Sequence, residues 1–255
     1  MHTTPYAHVN VLLDELLPRM QAALGPKLAG VYLYGSLVTG DFDAEISDID
    51  LLAVIESELD SQEFSVLETM HVALQIRYAE WDNRIEIAYV SRHALETFRT
   101  LRTDIAVISP GEPFHMKDAG IDWLINWYNV REQGETLYGP PLSDVIPPIS
   151  REEFFAAVRR QAHEWRAWVD RTAGSRPYQS FAVITLCRAL YAIRFGVQPS
   201  KRQAARWAIG ELPEWSALIE NALVWRANSR DENVDPALTF EEVKRFVHFV
   251  IDQIG

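Results

Sequence analysis

The residues best suited to chemistry lie in two short stretches, Tyr34-Gly-Ser-Leu-Val-Thr-Gly40 and Ser47-Asp-Ile-Asp-Leu-Leu52. Asp48 and Asp50 stand two apart, so on a strand they share one face while Ile49 and Leu51 take the other. Two adjacent carboxylates repel, and such a pair is usually retained because it holds a cation. Mg2+ suits it, since that ion prefers oxygen ligands and commonly joins one or two carboxylates to substrate phosphates. Upstream, Gly35-Ser36 follows an apolar run and precedes what reads as a short helix. A glycine there lets the backbone approach a ligand, and exposed N–H groups receive phosphate. A nucleoside triphosphate chelated to Mg2+ satisfies both halves. A third carboxylate is then wanted from a neighbouring strand, and Glu86 supplies it within Arg84-Ile-Glu-Ile-Ala88.

Each part has a plainer reading. An Asp-x-Asp pair is more often a solvated strand end, Gly-Ser turns are common, and an acid alternating with isoleucines describes the outward face of an edge strand. The order and spacing of all three parts together favour a nucleotide site.

These residues need a scaffold, and the chain supplies one. Val11, Leu12, Leu16, Met20 and Leu24 recur with a helical period over residues 8–24, ended by Gly25-Pro26. Strands are expected over residues 28–34, 48–55 and 84–90, with a helix over 62–78 between the last two. The order helix, strand, strand, helix, strand predicts an α/β (α+β) domain with a mixed sheet over residues 1–145. A further helix is expected over 123–134. The stretch from Tyr138 to Pro148 holds four of the 13 prolines and continues neither a helix nor a central strand, which makes it the candidate boundary. Beyond it, helices are expected over 150–170, 178–195, 200–209, 214–227 and 239–254. The first opens on a capping box, Ser150 with Glu153. Residues 146–255 are therefore predicted to form an all-α bundle.

Composition narrows the partners. Among 255 residues, 36 are acidic and 24 basic, a formal charge of −12. That balance opposes a nucleic-acid partner, whose binding rests on Lys and Arg neutralising phosphates. The single cysteine, Cys187, excludes an internal disulfide and any multi-cysteine zinc site, and its apolar neighbours mark it as a core residue. Residues 1–10 show no basic stretch leading into an apolar one, and no run is long enough to span a membrane. The expectation is a soluble, cytoplasmic monomer.

Gly35-Ser36 with Gly40, then Ser47-Asp48-Ile49-Asp50, resembles the signature of the DNA polymerase β-like nucleotidyltransferases. Leu186-Cys-Arg188, Gly196, Ser200-Lys201, the run Ala204-Ala-Arg-Trp-Ala208, Leu212-Pro213 and Arg245-Phe-Val-His-Phe249 look like the helical domain of the aminoglycoside adenylyltransferases that modify streptomycin and spectinomycin. The resemblance runs from about Val31 to the end and is patchy between Ser91 and Arg176. It implies transfer of AMP from ATP to a hydroxyl of a small molecule, with release of pyrophosphate. Asp48 and Asp50 would hold two Mg2+ ions, with Glu86 alongside as a metal-side carboxylate that orients or deprotonates the acceptor hydroxyl. Ser36, beside Gly35, would contact the triphosphate. Arg188 and Lys201 correspond to the family's phosphate contacts, and Trp225 to an aromatic residue near the nucleotide. The site would lie in a cleft between the domains. Taken without the resemblance, the last three read as a surface Arg, a surface Lys and a half-buried core Trp.

The chain departs from the drug-modifying members on the acceptor side. They carry Pro-Pro-x-Arg-Glu and Gly-Glu-Trp after the third strand, and neither occurs between Thr100 and Lys117. Where they carry Gly-Asp-Glu ahead of the arginine helix, this chain reads Ser175-Arg-Pro-Tyr-Gln179. A polycationic acceptor would lose a charge-assisted contact there. Alternative acceptors are a protein or a metabolite, and a catalytically silent nucleotide-binding regulator is a third reading. The intact Ser36, Asp48, Asp50 and Glu86 set argues against the last.

Overall fold

The computed structural model describes residues 4–227 and 235–255. Residues 1–3, part of the stretch read above for a leader, lie outside the described residues. Internal contacts divide the chain into Met1–Pro148 and Ile149–Gly255. No helix among the described residues is long and apolar enough to cross a membrane.

The first unit is a mixed sheet with helices. Helix α1 (Ala7–Leu24) buries Val9, Leu12, Leu16 and Met20 and stops at Gly25, whose φ of 53° few other residues adopt. Strands β1 (Leu28–Tyr34), β2 (Ile49–Ile55) and β3 (Ile85–Ser91) follow, with the short α2 (Ser36–Thr39) after β1 and α3 (Ser61–Arg77) linking β2 to β3. A parallel pair requires such a crossover, and β2 with β3 is the parallel pair of this sheet. A capping box starts α3: the Asp60 carboxylate accepts from the Gln62 and Glu63 amides, and Glu63 accepts from the Asp60 amide, each at 2.8 Å. The unit continues through α4 (Arg92–Thr97), β4 (Thr103–Ser109), β5 (Glu112–Ala119), α5 (Leu124–Gln133) and β6 (Glu135–Tyr138). The six-stranded order is β5-β4-β3-β2-β1-β6, so the strands carrying the motif are central.

Three strands, β4, β5 and β6, and one helix, α4, go beyond what the sequence pattern predicts. Strand β5 reads Glu-Pro-Phe-His-Met-Lys-Asp-Ala and exposes most of its side chains, the composition of a charged edge that avoids further pairing. The β4–β5 turn was signalled by Pro110-Gly111, with Gly111 at φ 83°. Strand β6 is four residues long, too short for a periodic pattern. Helix α4 is six residues long, capped by the Ser91 hydroxyl, which accepts from the Ala94 amide at 3.0 Å.

Behind the sheet, His71 of α3 is buried, with Nε2 2.9 Å from the Tyr89 hydroxyl. Burial pushes its imidazole down to about 4. The unfolded chain, with an ordinary imidazole, binds more protons between pH 6.5 and 4, so His71 weakens the folded state as pH falls through that window. A shift of this size corresponds to about 3 kcal/mol by pH 4. Urea denaturation from pH 7.5 to 4.5 should therefore show a steeper loss of stability in the parent chain than in His71→Leu. Equal slopes would refute the assignment.

The second unit is helical. Helices α6 (Arg151–Trp168), α7 (Arg176–Phe195), α8 (Lys201–Glu211), α9 (Ser216–Ala227) and α10 (Ala237–Ile254) pack with α7 touching the other four. The Ser150–Glu153 capping box forms as expected: the Ser150 amide donates to Glu153 at 2.8 Å and the Glu153 amide to the Ser150 hydroxyl at 3.2 Å. Helix α7 starts two residues earlier than expected because Pro177 is tolerated in a first turn. Cys187 is fully buried on it, and burial pushes the thiol up to about 12.

Candidate active site

At the end of β1 the backbone turns at Gly35, φ 73°, into α2, which ends at Gly40, also at φ 73°. The next eight residues return to β2 as a tied loop. The Asp41 amide donates to the Ser36 carbonyl at 3.1 Å, the Ser47 amide to the Asp43 carbonyl at 2.9 Å, and the Asp43 amide to the Ser47 hydroxyl at 2.9 Å. Ser47 is buried at the end of this loop. Thus the two motif halves, twelve residues apart in sequence, are brought back to adjacent strands.

The register makes a row across the sheet. Tyr34 of β1 faces Asp50 of β2, and Asp50 faces Glu86 of β3. Neighbouring strands are about 4.8 Å apart, so the Asp50 and Glu86 carboxylates leave the same face side by side. Both are half-buried, as is Asp48 just ahead of β2. The Tyr34 hydroxyl sits in their field: its ionisation is pushed well above the ordinary range, first by burial and then by the Glu86 and Asp50 charges. It remains a neutral donor.

Gly35 completes the row in a second way. A methyl group built on its Cα would overlap the Asp50 carboxylate, lying 2.7 Å from its Cγ. The absent side chain is the space this carboxylate occupies.

Asp48 is held through its neighbours. The Arg84 guanidinium donates twice to the Ser47 carbonyl, from Nε at 3.1 Å and from a terminal nitrogen at 2.6 Å. On the other side, the Ile49 amide donates to the Arg84 carbonyl at 2.9 Å.

Among the described residues, no three His, Cys, Asp or Glu side chains form a self-sufficient metal cage. The donor set is nonetheless the oxygen-only kind that Mg2+ takes. That ion is ordinarily held by one or two carboxylates and completed by phosphate oxygens and water, so an incomplete protein cage fits a cation delivered with a triphosphate. Gly35, by leaving room for the Asp50 carboxylate against the turn, sets that oxygen donor beside the backbone expected to receive the triphosphate.

In the second unit, Arg188 lies in the C-terminal half of α7 and Lys201 opens α8. Arg188 Nε donates to the Pro199 carbonyl at 3.0 Å, and Ser200 caps α8, whose first residue is Lys201. Both side chains are half-buried. Trp225 lies elsewhere. Its ring carries the Arg176 guanidinium, 4.5 Å from the centroid, and Arg176 opens α7, about 18 Å of helix axis before Arg188.

Two family models match the chain almost end to end, a nucleotidyltransferase domain over residues 13–132 and the C-terminal domain of aminoglycoside adenylyltransferase over residues 144–253. The chain is an aminoglycoside adenylyltransferase-like nucleotidyltransferase. Among proteins similar to this nucleotidyltransferase is an aminoglycoside (3'')(9) adenylyltransferase of Shigella flexneri, 26% identical, covering 100% of this chain and 98% of that protein. One of the same name from Rhizobium radiobacter is 27% identical over 92% of this chain and 90% of that protein. The crystal structure of a spectinomycin adenyltransferase from Enterococcus faecialis shares the fold, with a TM-score of 0.74 at 18% identity over 96% of this chain and 98% of that one. The expected architecture, a mixed-sheet nucleotidyltransferase domain followed by an all-α domain, is thus the one found.

Of the residues singled out in this nucleotidyltransferase, the first unit gathers Gly35, Ser36, Asp48, Asp50 and Glu86. The second gathers Arg188 and Lys201 and leaves Trp225 at the far end of α7. Sequence reasoning passed over Tyr34 and Arg84. Tyr34 was detectable by counting back from Gly35 to the end of a strand facing the Asp pair. Nothing short of the strand register exposes Arg84.

Proposed function

We propose that this adenylyltransferase moves AMP from ATP to a hydroxyl group of an aminoglycoside. The bond that forms joins the acceptor oxygen to the α-phosphorus. The one that breaks links that phosphorus to the bridging oxygen, and pyrophosphate leaves. Asp48 and Asp50 would hold Mg2+, which would supply charge screening for the triphosphate. Glu86, adjacent to Asp50, orients the acceptor hydroxyl and takes its proton. Gly35 and Ser36 receive the triphosphate at the turn, while Arg188 and Lys201 neutralise its outer phosphates. Trp225 is the weakest assignment to the nucleotide, because its ring already carries Arg176.

The observation that carries this reading is the row Tyr34, Asp50, Glu86, with Gly35 shaped around the Asp50 carboxylate. An aminoglycoside is favoured as acceptor by the relatives named above and by charge: a chain at −12 attracts a polycation. The same charge opposes a nucleic-acid partner, and the enzyme is proposed to act as a cytoplasmic monomer. Its acceptor contacts differ from those of the drug-modifying pattern. The missing Gly-Glu-Trp region is the β4–β5 hairpin, and Tyr178, in place of an acid, is 63% exposed on the first turn of α7.

The test is incubation with ATP, Mg2+ and a panel of aminoglycosides and aminocyclitols, following pyrophosphate release. Release that depends on one of these acceptors is the expected result. ATP binding without release from any of them would move the acceptor outside this class.

A further inference from the structure

We infer that Arg84 is a positioning residue for Asp48, acting through the Ser47 carbonyl; the inference rests on the cation-holding role proposed for Asp48. Asp48 lies just outside β2, so the strand ladder alone does not fix it. Two contacts to one residue do. Arg84 grips the carbonyl before Asp48 with two donors, at 3.1 and 2.6 Å, and its own carbonyl accepts from the amide after Asp48 at 2.9 Å. The peptide bearing the carboxylate is therefore clasped at both ends from the residue just ahead of the strand that carries Glu86.

The clasp is itself braced. The Arg84 guanidinium lies over the Trp81 ring at 4.7 Å, and Trp81 is 1% exposed and stacked on His8 at 5.4 Å with the rings 9° apart. A guanidinium on an aromatic face loses little freedom on forming its fork of hydrogen bonds, and lysine cannot reproduce both donors. Tyr6 adds a tie from the same N-terminal segment: its hydroxyl donates to the Phe42 carbonyl at 3.4 Å, within the loop that ends at Ser47. A chain of packed groups thus runs from the start of α1 through Trp81 and Arg84 to the peptide of Asp48. Its consequence is a carboxylate pair of fixed spacing. Positioning partners one step removed from a metal site typically govern affinity by about 10- to 100-fold.

The test is Mn2+ affinity, read from the free-ion electron paramagnetic resonance signal in the presence of α,β-methylene-ATP. It compares the parent chain with Arg84→Gln, Arg84→Lys and Asp48→Asn, alongside kcat and the acceptor KM. We expect Arg84→Gln to bind Mn2+ about tenfold more weakly and to lose kcat in parallel with the acceptor KM unchanged, and Arg84→Lys to fall about threefold. A change confined to melting temperature, with Mn2+ affinity intact in both Arg84 variants while Asp48→Asn loses it, would overturn the positioning role and leave the Asp48 assignment standing. Full Mn2+ binding by Asp48→Asn would remove that assignment, and the inference with it. Should circular dichroism show Arg84→Gln unfolded, Arg84→Lys, which keeps the cation over Trp81, carries the same comparison.

Discussion

Glu86→Gln is expected to lower kcat for AMP transfer by about 10²- to 10⁴-fold, the range a positioned general base contributes. The amide keeps the size of the side chain and removes its ability to accept the hydroxyl proton. Because that interaction matures only in the transition state, kcat and kcat/KM should fall together while the KM for ATP stays within about threefold. Steady-state kinetics at saturating Mg2+ reads this directly. A loss of less than about threefold would deny Glu86 the role of base. Recovery of the rate on raising Mg2+ would assign it to the cation instead. The row with Asp50 makes both functions sterically available, and the Mg2+ dependence separates them.

Gly35→Ala is expected to be nearly as damaging, though it removes no chemical group. The added methyl meets two obstacles. At φ 73° and ψ −145° an L-residue is forced into a region essentially confined to glycine, at a cost of roughly 1–3 kcal/mol, and the methyl falls where the Asp50 carboxylate now lies, 2.7 Å from its Cγ. The carboxylate must move by an ångström or more, and a misplacement of that size costs about 100-fold in rate. The fold should survive, since β1 and β2 remain paired on either side. The predicted outcome is a folded protein by circular dichroism with kcat reduced about 100-fold. Activity within about fivefold of the parent would show that Asp50 tolerates displacement, and would weaken its assignment to the triphosphate.

Much of this site could be read from the sequence because it follows short-range rules. Asp48 and Asp50 announce themselves through alternation, Glu86 through the demand for a third acid flanked by Ile85 and Ile87, and Gly35-Ser36 through the turn after an apolar run. The central strands were equally plain, since β1 and β2 are buried on both faces and so read as continuous apolar runs. What could not be read depends on pairing. Strand β5, with Glu112, His115, Lys117 and Asp118 along an exposed edge, carries no apolar period, and its Pro110-Gly111 turn is the one local clue. Arg84 looks like an ordinary residue at a strand start until the register sets it against Ser47. The difference in standing between Arg188 with Lys201 and Trp225 appears only when α7 is laid out as a helix and Arg176 is found on the Trp225 ring.

The group proposed to be transferred is AMP, by residues gathered around Asp50. The most direct test uses two preparations of ATP, one labelled at the α-phosphate and one at the γ-phosphate, with Mg2+ and an aminoglycoside, against the parent chain and Glu86→Gln. In the parent reaction α-label should reach the acceptor and γ-label should leave wholly as pyrophosphate, while Glu86→Gln should transfer neither at a comparable rate. Appearance of γ-label on the acceptor, or α-label transfer undiminished in Glu86→Gln, would contradict that proposal.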